Sequence, residues 1–491
     1  MSAGDATHLY GRDAPTTADG REAFASGSVP VAVYGLGKMG LPLACVFAES
    51  CGAVTGVDVE QRVVDAVNDG RSHVTGEPGL EELLAREVER GRLRATTDGE
   101  RAAREASVHV IIVPTLVGEG ETPEPDLSLV ETVVETIGSG LSPGDLVIVE
   151  STLPPGTCAD VVEPHLAAAS GLESGSFGVA FCPERTASGT ALRDIRGAYP
   201  KVVGGVDDAS ARAAAQVYRE VSSNDVHIVR DATTAEAVKV FEGIYRDVNI
   251  ALANELARIA DDLGISVREA IETANHIPMS DIHEPGPGVG GHCIPYYPYF
   301  LLAQTDDPMD LVRTARRTNE TMPEATVTAL ERELERTGTA LEEASVAVLG
   351  LTYRPSVAET RASPAIGVVD ALGERAESVY GVDPLVDPAA FGADPLARSE
   401  LPETDLDAAV LVTAQPEFYE IDWAGLEPMV VLDGRDVLSR ESVEAHGHTY
   451  RALAGSIDGW PRVLEGEGPP AETPTYVSDL QRERAGATGE D

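Results

Sequence analysis

Val31-Ala32-Val33-Tyr34-Gly35-Leu36-Gly37-Lys38-Met39-Gly40-Leu41-Pro42-Leu43-Ala44 decides the fold. Four apolar residues run directly into glycines spaced as GxGxxG, and an apolar helical pattern continues over 41–49. Strand, tight turn and helix in that order open a dinucleotide-binding βαβ unit. Gly35 permits the turn, Gly37 leaves the backbone bare for a pyrophosphate, and Gly40 lets helix and strand pack closely. The phosphates would sit on the helix N-terminus, with Leu36, Lys38 and Met39 completing the turn. A GxGxxG alone is weak. Here Asp58 follows the next apolar run, 54–57, eighteen residues after Gly40. A carboxylate at that point accepts hydrogen bonds from a ribose and repels a 2′-phosphate, so the cofactor expected is NAD rather than NADP.

Outward from this unit, short apolar runs recur at 109–114, 146–150, 179–183 and 201–205, mostly separated by helical patterns. That alternation predicts an α/β fold with a parallel, doubly wound sheet. From about Thr233 the pattern becomes one helix of some thirty residues, ended by Gly264. Apolar residues cover much of its circumference, which predicts a buried spine. A helix over 267–274, a long Gly/Pro loop over 285–298 and a helical stretch over 308–336 follow. Ser345–Tyr353 opens another strand into a glycine turn, with further apolar runs at 378–384, 408–413 and 429–436. The expected organisation is a loose leader (1–28), a Rossmann domain (29–230), a central helical domain (231–338), a Rossmann-like C-terminal domain (339–464) and a flexible tail (465–491).

The 491 residues suit about three domains, and 43% hydrophobic content supports sizeable cores. Lys plus Arg is 37 against 82 Asp plus Glu, a formal charge of −45. Such a field repels nucleic acid and anionic membranes. The acidic residues are spread along the chain rather than gathered in a tail, which fits a protein from a high-salt cytoplasm. The N-terminus has no basic-then-apolar signal pattern, and no apolar run approaches a membrane span. A cytoplasmic protein is expected.

Cys45, Cys51, Cys158, Cys182 and Cys293 are odd in number and widely spaced, so neither a disulfide framework nor a metal site is expected. Four read as inert core cysteines. Cys293 stands apart, in Pro287-Gly288-Val289-Gly290-Gly291-His292-Cys293, a loop of small residues that gives a substrate access to its sulfur. A thiolate beside a nicotinamide can add to an aldehyde and carry it, through a thioester, to an acid. Thr152, in Ser151-Thr152-Leu153-Pro154-Pro155-Gly156-Thr157, follows a strand at the end where open α/β sheets bind ligands, although Thr157 also reads as a helix cap. Glu184, in Cys182-Pro183-Glu184-Arg185, is a candidate general base or half of an ordinary ion pair with Arg185. Lys239 lies on the apolar helix, where a lysine needs either a role or a route to solvent.

Together, GLGKMGLPLA (35–44), VPT (113–115), ESTLPPGT (150–157), CPER (182–185), AEAVK (235–239), YRDVNIALANELARIA (245–260), PGPGVGGHCIP (285–295) and GLTYRPSVAETRASPA (350–365) resemble the UDP-glucose/GDP-mannose dehydrogenase family. The resemblance spans about residues 30–460. It implies an NAD domain, a central dimerisation domain and a C-terminal nucleotide-sugar domain, in a homodimer or larger homo-oligomer. The implied reaction oxidises a sugar C6 alcohol to a carboxylate with two NAD. The implied substrate is a UDP-sugar of the N-acetyl-D-mannosamine type, and the product serves polysaccharide biosynthesis. Cys293 resembles the thiol nucleophile, Lys239 the residue stabilising the oxyanion, and Thr152 with Glu184 the pair holding the reactive water. Pro114, Thr115 and Thr152 join the turn and Asp58 in the implied cofactor site. Glu184, Arg185, Arg246, Asn249, Gly288, Gly290, Gly291, Tyr353, Arg354 and Arg361 form the implied substrate site.

Several positions depart from the family pattern. Gly243 stands where the family has an asparagine, and Tyr297 where it has an aspartate. Met279 replaces an arginine, Arg354 a lysine, and Ala358-Glu359 an acidic pair. Loss of an oxyanion donor typically costs about 100- to 1,000-fold in rate. A phenol, with an ordinary pKa of about 10, is a poor base. A non-catalytic homologue that binds NAD or a nucleotide sugar is therefore an alternative. A simpler β-hydroxyacid dehydrogenase is another, and it leaves Cys293 and residues 345–460 without a task.

Overall fold

A computed structural model of the chain describes residues 7–11, 17–118 and 123–455. These divide into two compact units, Met1–Tyr245 with His292–Arg313, and Arg246–Gly291 with Thr314–Asp491. The central stretch, expected as one domain, is thus shared between the two.

The first unit contains β1 (Val31–Tyr34), β2 (Val54–Val57), β3 (Leu93–Thr96) and β4 (Val108–Ile111). A small antiparallel pair follows, β5 (Leu116–Val117) with β6 (Pro125–Asp126). Then come β7 (Leu146–Val149), β8 (Gly178–Phe181), β9 (Lys201–Gly205) and β10 (Val226–Ile228). The eight-stranded sheet has the order β10-β9-β8-β7-β4-β1-β2-β3. Val31 and Val33 of β1 enter one core, and Ala32 and Tyr34 enter the other. Both faces of the strand are covered, which is why it reads as a continuous apolar run. The sheet is not parallel throughout: β9 pairs antiparallel with β8, and β10 follows β9. The chain leaves β8 and returns into β9 from the same end, so no crossover is needed.

The loose leader expected over 1–28 is corrected for its described part. Thr17–Ser26 is a helix. Phe24 is buried edge-on against Phe47, with ring centroids 6.5 Å apart. Leu9 joins the same core, and the Tyr10 hydroxyl donates to Asp207 Oδ2 at 2.8 Å. Three large apolar residues anchor a stretch whose average composition is polar. The tail expected at 465–491 lies outside the described residues.

The long helix is Ala232–Arg258, followed by a short turn of helix that Gly264 ends with a left-handed φ of 65°. It is not buried on all sides. Ala235, Lys239, Val240, Ala251, Ala253 and Ala257 are buried, while Phe241, Tyr245 and Leu252 are each about half exposed. A 3.6-residue repeat splits the apolar positions between a packed face and an open one.

In the second unit, β11 (Ser345–Leu349), β12 (Ser378–Val382), β13 (Asp394–Pro395), β14 (Ala408–Leu411), β15 (Val430–Asp433) and β16 (Thr449–Ala452) form a wholly parallel sheet of order β13-β12-β11-β14-β15-β16. A buried polar network ties this unit's helices to its glycine loop. Asn319 Nδ2 donates to Asp247 Oδ1 at 2.8 Å, and Asn254 Nδ2 donates to Asn319 Oδ1 at 2.9 Å. Asn254 Oδ1 accepts from Gly286 N at 2.9 Å.

Candidate active site

The dinucleotide turn has the shape that its glycines imply. Gly35 has a left-handed φ of 97°, and a Cβ on Gly40 would lie 1.9 Å from the Gly35 carbonyl oxygen. A Cβ on Gly37 would meet nothing within 4 Å, so the turn is open there. Asp58 closes the turn from β2, its Oδ2 accepting from Leu36 N at 2.9 Å and its Oδ1 from Glu60 N at 3.0 Å. A carboxylate offers about four acceptor positions, so two remain for ribose hydroxyls. After β4, the chain reaches Pro114 and Thr115, whose buried Oγ1 has no protein partner. This open cradle, free acceptor capacity and orphaned hydroxyl fit NAD. They lie where the strand order reverses between β1 and β4.

The loop after β7 is held from two sides. Ser151 Oγ donates to the Val113 carbonyl at 2.7 Å. The Glu236 carboxylate, reaching from the long helix, accepts from Gly156 N at 2.5 Å and Cys158 N at 2.8 Å. Burial outweighs these donors and pushes the Glu236 carboxyl up to about 7 from an ordinary 4.5. The folded chain then holds this proton more tightly than the unfolded chain, so stability falls as pH rises between about 4.5 and about 7. Urea melts of Glu236→Gln should lack this loss. The two proteins should differ in pH slope by at most about 3 kcal/mol across the window. Parallel profiles would contradict the assignment.

Thr152, Glu184, Lys239, Cys293 and Tyr297 come together in the first unit. Lys239, 6% exposed, donates to the Glu184 main-chain carbonyl, and its Nζ lies 3.3 Å from Glu184 Oε2. Burial alone would lower the Lys239 ammonium, but Glu184, with Tyr297 and Cys293 beside it, holds it above its ordinary value. Burial would likewise raise Glu184, and Lys239 with Thr186 outweighs it and keeps the carboxyl low. Both groups are therefore charged at neutral pH. The ion pair considered between Glu184 and Arg185 does not form. Arg185 instead donates to Glu242 at 2.9 Å and to the Pro200 carbonyl.

Tyr297 Oη lies 3.3 Å from Thr152 Oγ1, and its phenol also faces the Cys293 thiol. Burial raises the phenol, Lys239 draws it back in part, and the net direction is up. Cys293 is exposed, whereas Cys45, Cys51, Cys158 and Cys182 are buried. Burial pushes those thiols up, Cys51 to about 11 and Cys45 to about 12. Thr186 is a residue that the sequence reading misses. It donates to the Glu184 carboxylate, and its hydroxyl lies 3.0 Å from Met39 Sδ, linking the acid to the dinucleotide turn.

In the second unit the glycine loop lies on the segment after β11. A Cβ on Gly290 would meet Tyr353 Cβ and the Ala362 carbonyl oxygen, each at 2.7 Å. Gly291, with a left-handed φ of 95°, donates its N–H to the Arg361 carbonyl at 2.9 Å. Gly288 packs on Pro364. Arg354 lies next to Tyr353 in the same segment, partly buried. Asn249 is occupied by the backbone: its Nδ2 donates to the Asp281 carbonyl at 2.6 Å and its Oδ1 accepts from His283 N at 2.8 Å. It thus shapes the approach to the loop. Arg246 is exposed on the long helix, and Met279 is exposed as well. Arg435, just past β15, is also missed by the sequence reading. It lies against Gly286 and donates Nε to the Val412 carbonyl at 2.9 Å, and burial pulls its guanidinium down to about 10. Its signal was a charged residue at a strand end.

Among the described residues, no cluster of His, Cys, Asp and Glu is arranged to hold a metal, and no helix is long and apolar enough to cross a membrane. Comparison with known proteins matches three family models in order. These are the NAD binding domain (residues 29–222), central domain (233–321) and UDP binding domain (347–440) of the UDP-glucose/GDP-mannose dehydrogenase family. A UDP-N-acetyl-D-mannosamine dehydrogenase of Pyrococcus horikoshii is 37% identical over 430 residues, covering 86% of this chain and 98% of the relative. An NDP-N-acetyl-D-galactosaminuronic acid dehydrogenase of Ralstonia nicotianae is 36% identical, covering 84% and 97%. The solved structure of the Pyrococcus horikoshii UDP-D-ManNAc dehydrogenase superposes with a TM-score of 0.80 at 36% identity, over 87% of this chain and all of that one. The chain belongs to the UDP-glucose/GDP-mannose dehydrogenase family, and with it to the NAD-dependent nucleotide-sugar dehydrogenases.

Proposed function

We propose that the chain oxidises the C6 alcohol of UDP-N-acetyl-D-mannosamine to the uronate through a thioester on Cys293. The observation that carries this reading is the convergence of an exposed thiol, a buried ammonium, an ionised carboxylate and two hydroxyls in one unit. Bound NAD supplies the oxidant for both steps, two per sugar. The Cys293 thiolate adds to the aldehyde carbon, forming the C–S bond of a hemithioacetal, and oxidation of that adduct gives the thioester. Water then cleaves the C–S bond, releasing the carboxylate and regenerating the thiol. Lys239 faces the oxyanion of each tetrahedral species. Glu184 is ionised and takes a proton from the water that it holds with Thr152. The net reaction consumes one alcohol, two NAD⁺ and one water, and yields one carboxylate, two NADH and three protons.

Tyr353, Arg354 and Arg361, with Gly288, Gly290 and Gly291, serve the nucleotide-sugar end, and Arg246 and Asn249 shape its approach. The name of the Pyrococcus horikoshii relative supports the N-acetylmannosamine form. The exposed Leu252, Ile259 and Leu263 suit a homodimer face. The charge of −45 suits a salt-rich cytoplasm, with the product feeding polysaccharide assembly. The test is a UDP-sugar panel with the full chain and NAD in molar potassium chloride. UDP-N-acetyl-D-mannosamine should show the highest kcat/KM, at least about tenfold above UDP-glucose. A higher value for another UDP-sugar would replace the substrate. No turnover with NAD bound would favour the non-catalytic reading, which the Gly243 and Tyr297 departures motivate.

A further inference from the structure

We infer that Tyr297 is a working member of the Cys293 site: its phenol holds the Cys293 sulfur and Thr152, and the bare α-carbon of Gly243 is what lets its ring stand there. This rests on Cys293 being the nucleophile, and it assigns the tyrosine a part in ionising that thiol.

Gly243 lies inside the helix Ala232–Arg258, with no left-handed φ to require a glycine. Glycine is among the least favourable residues in a helix interior. The neighbouring ring accounts for it. A Cβ on residue 243 would lie 2.1 Å from Tyr297 Cδ2 and 2.9 Å from Cγ. Any side chain at 243 and this ring exclude one another.

The ring is also fixed in place. Tyr297 is 7% exposed, its ring centroid is 5.9 Å from that of Phe300, and its N–H donates to the Cys293 carbonyl at 3.0 Å. Its hydroxyl lies 3.3 Å from Thr152 Oγ1 and faces the Cys293 thiol. The charged groups facing this pair are the Lys239 ammonium and the Glu184 carboxylate that Lys239 binds. Burial keeps the phenol protonated, so it acts as a donor and not as a base. When the exposed Cys293 ionises, its S–H proton passes to solvent and the electron pair stays on sulfur. The Tyr297 O–H and the Lys239 ammonium then hold the anion.

The test is iodoacetamide alkylation of Cys293 in the full chain, followed by peptide mass across pH, for wild type, Tyr297→Phe, Gly243→Ala, Tyr297→Ala and the double Ala variant. Tyr297→Phe keeps the ring, so its melting temperature should match wild type. Its alkylation at pH 7 should fall about tenfold. Gly243→Ala should lower both melting temperature and alkylation. Adding it to Tyr297→Ala should cost nothing further, because the added methyl then meets no ring. Superimposable profiles for Tyr297→Phe and wild type, or additive losses in the double variant, would overturn the inference. Sugar turnover is a separate readout: alkylation as expected with no oxidation of any UDP-sugar would sink the proposed reaction and leave this assignment standing.

Discussion

Cys293→Ala is expected to lower uronate formation from UDP-N-acetyl-D-mannosamine by at least about a thousandfold, because no other group can form the thioester. The four remaining thiols are buried, and burial keeps them protonated, so none can substitute. Cys293 is exposed, and its truncation should change stability by no more than about 0.5 kcal/mol. NAD binding should also be unchanged, since the turn at 35–40 and Asp58 lie elsewhere in the chain. The first oxidation needs no thiol, so the variant should release at most one NADH per sugar. Chromatography of the products after long incubation checks this. Full uronate yield from Cys293→Ala would remove the thiol from the mechanism.

Lys239→Ala should be nearly as damaging, in two separable ways. Removing a preorganised donor to an oxyanion typically lowers kcat by about 100- to 1,000-fold. Lys239 also neutralises the largely buried Glu184, and removing one partner of a buried ion pair typically costs about 3–5 kcal/mol. The pH dependence separates the two effects. Lys239 depresses the folded-state pKa of Glu184, so the pair's stabilisation is present above the ordinary value of 4.5 and is lost as pH falls through the lower folded value. The stability gap between wild type and variant should therefore narrow in acid, while the loss in kcat measured near neutrality remains. Lys239→Arg should recover part of the stability. A variant with unchanged kcat would show that the ammonium is structural only.

Strands covered on both faces are the most legible in the sequence, because both of their faces must be apolar. The central strands β1, β4, β7, β8, β11, β14 and β15 each lie in an apolar run legible from composition. The strands missed were β3, β5, β6, β10, β13 and β16, and each lies at the edge of its sheet. Thr449–Ala452 shows why: Tyr450 and Ala452 are buried while Thr449 and Arg451 are partly exposed, too short an alternation to stand out. The stretch read as helical over 308–336 breaks at Thr321, just before Pro323, where one helix ends and another starts.

At the site, residue types were legible and partners were not. Glu184 adjoins Arg185 in sequence, whereas its partner in the fold is Lys239, 55 residues away. Gly243 and Tyr297 read as two separate losses. In the fold they are a single contact, with the ring of one occupying the place of the other's missing side chain. Steric exclusion of that kind is a property of packing and has no local signal.

The central claim is oxidation through two successive steps on one enzyme. The most direct measurement is NADH formed per UDP-N-acetyl-D-mannosamine consumed, in molar potassium chloride, with Cys293→Ala in parallel. The account predicts two NADH per sugar from the wild-type chain, with uronate formation lost in the variant. One NADH per sugar from the wild type, or two from the variant, would contradict it.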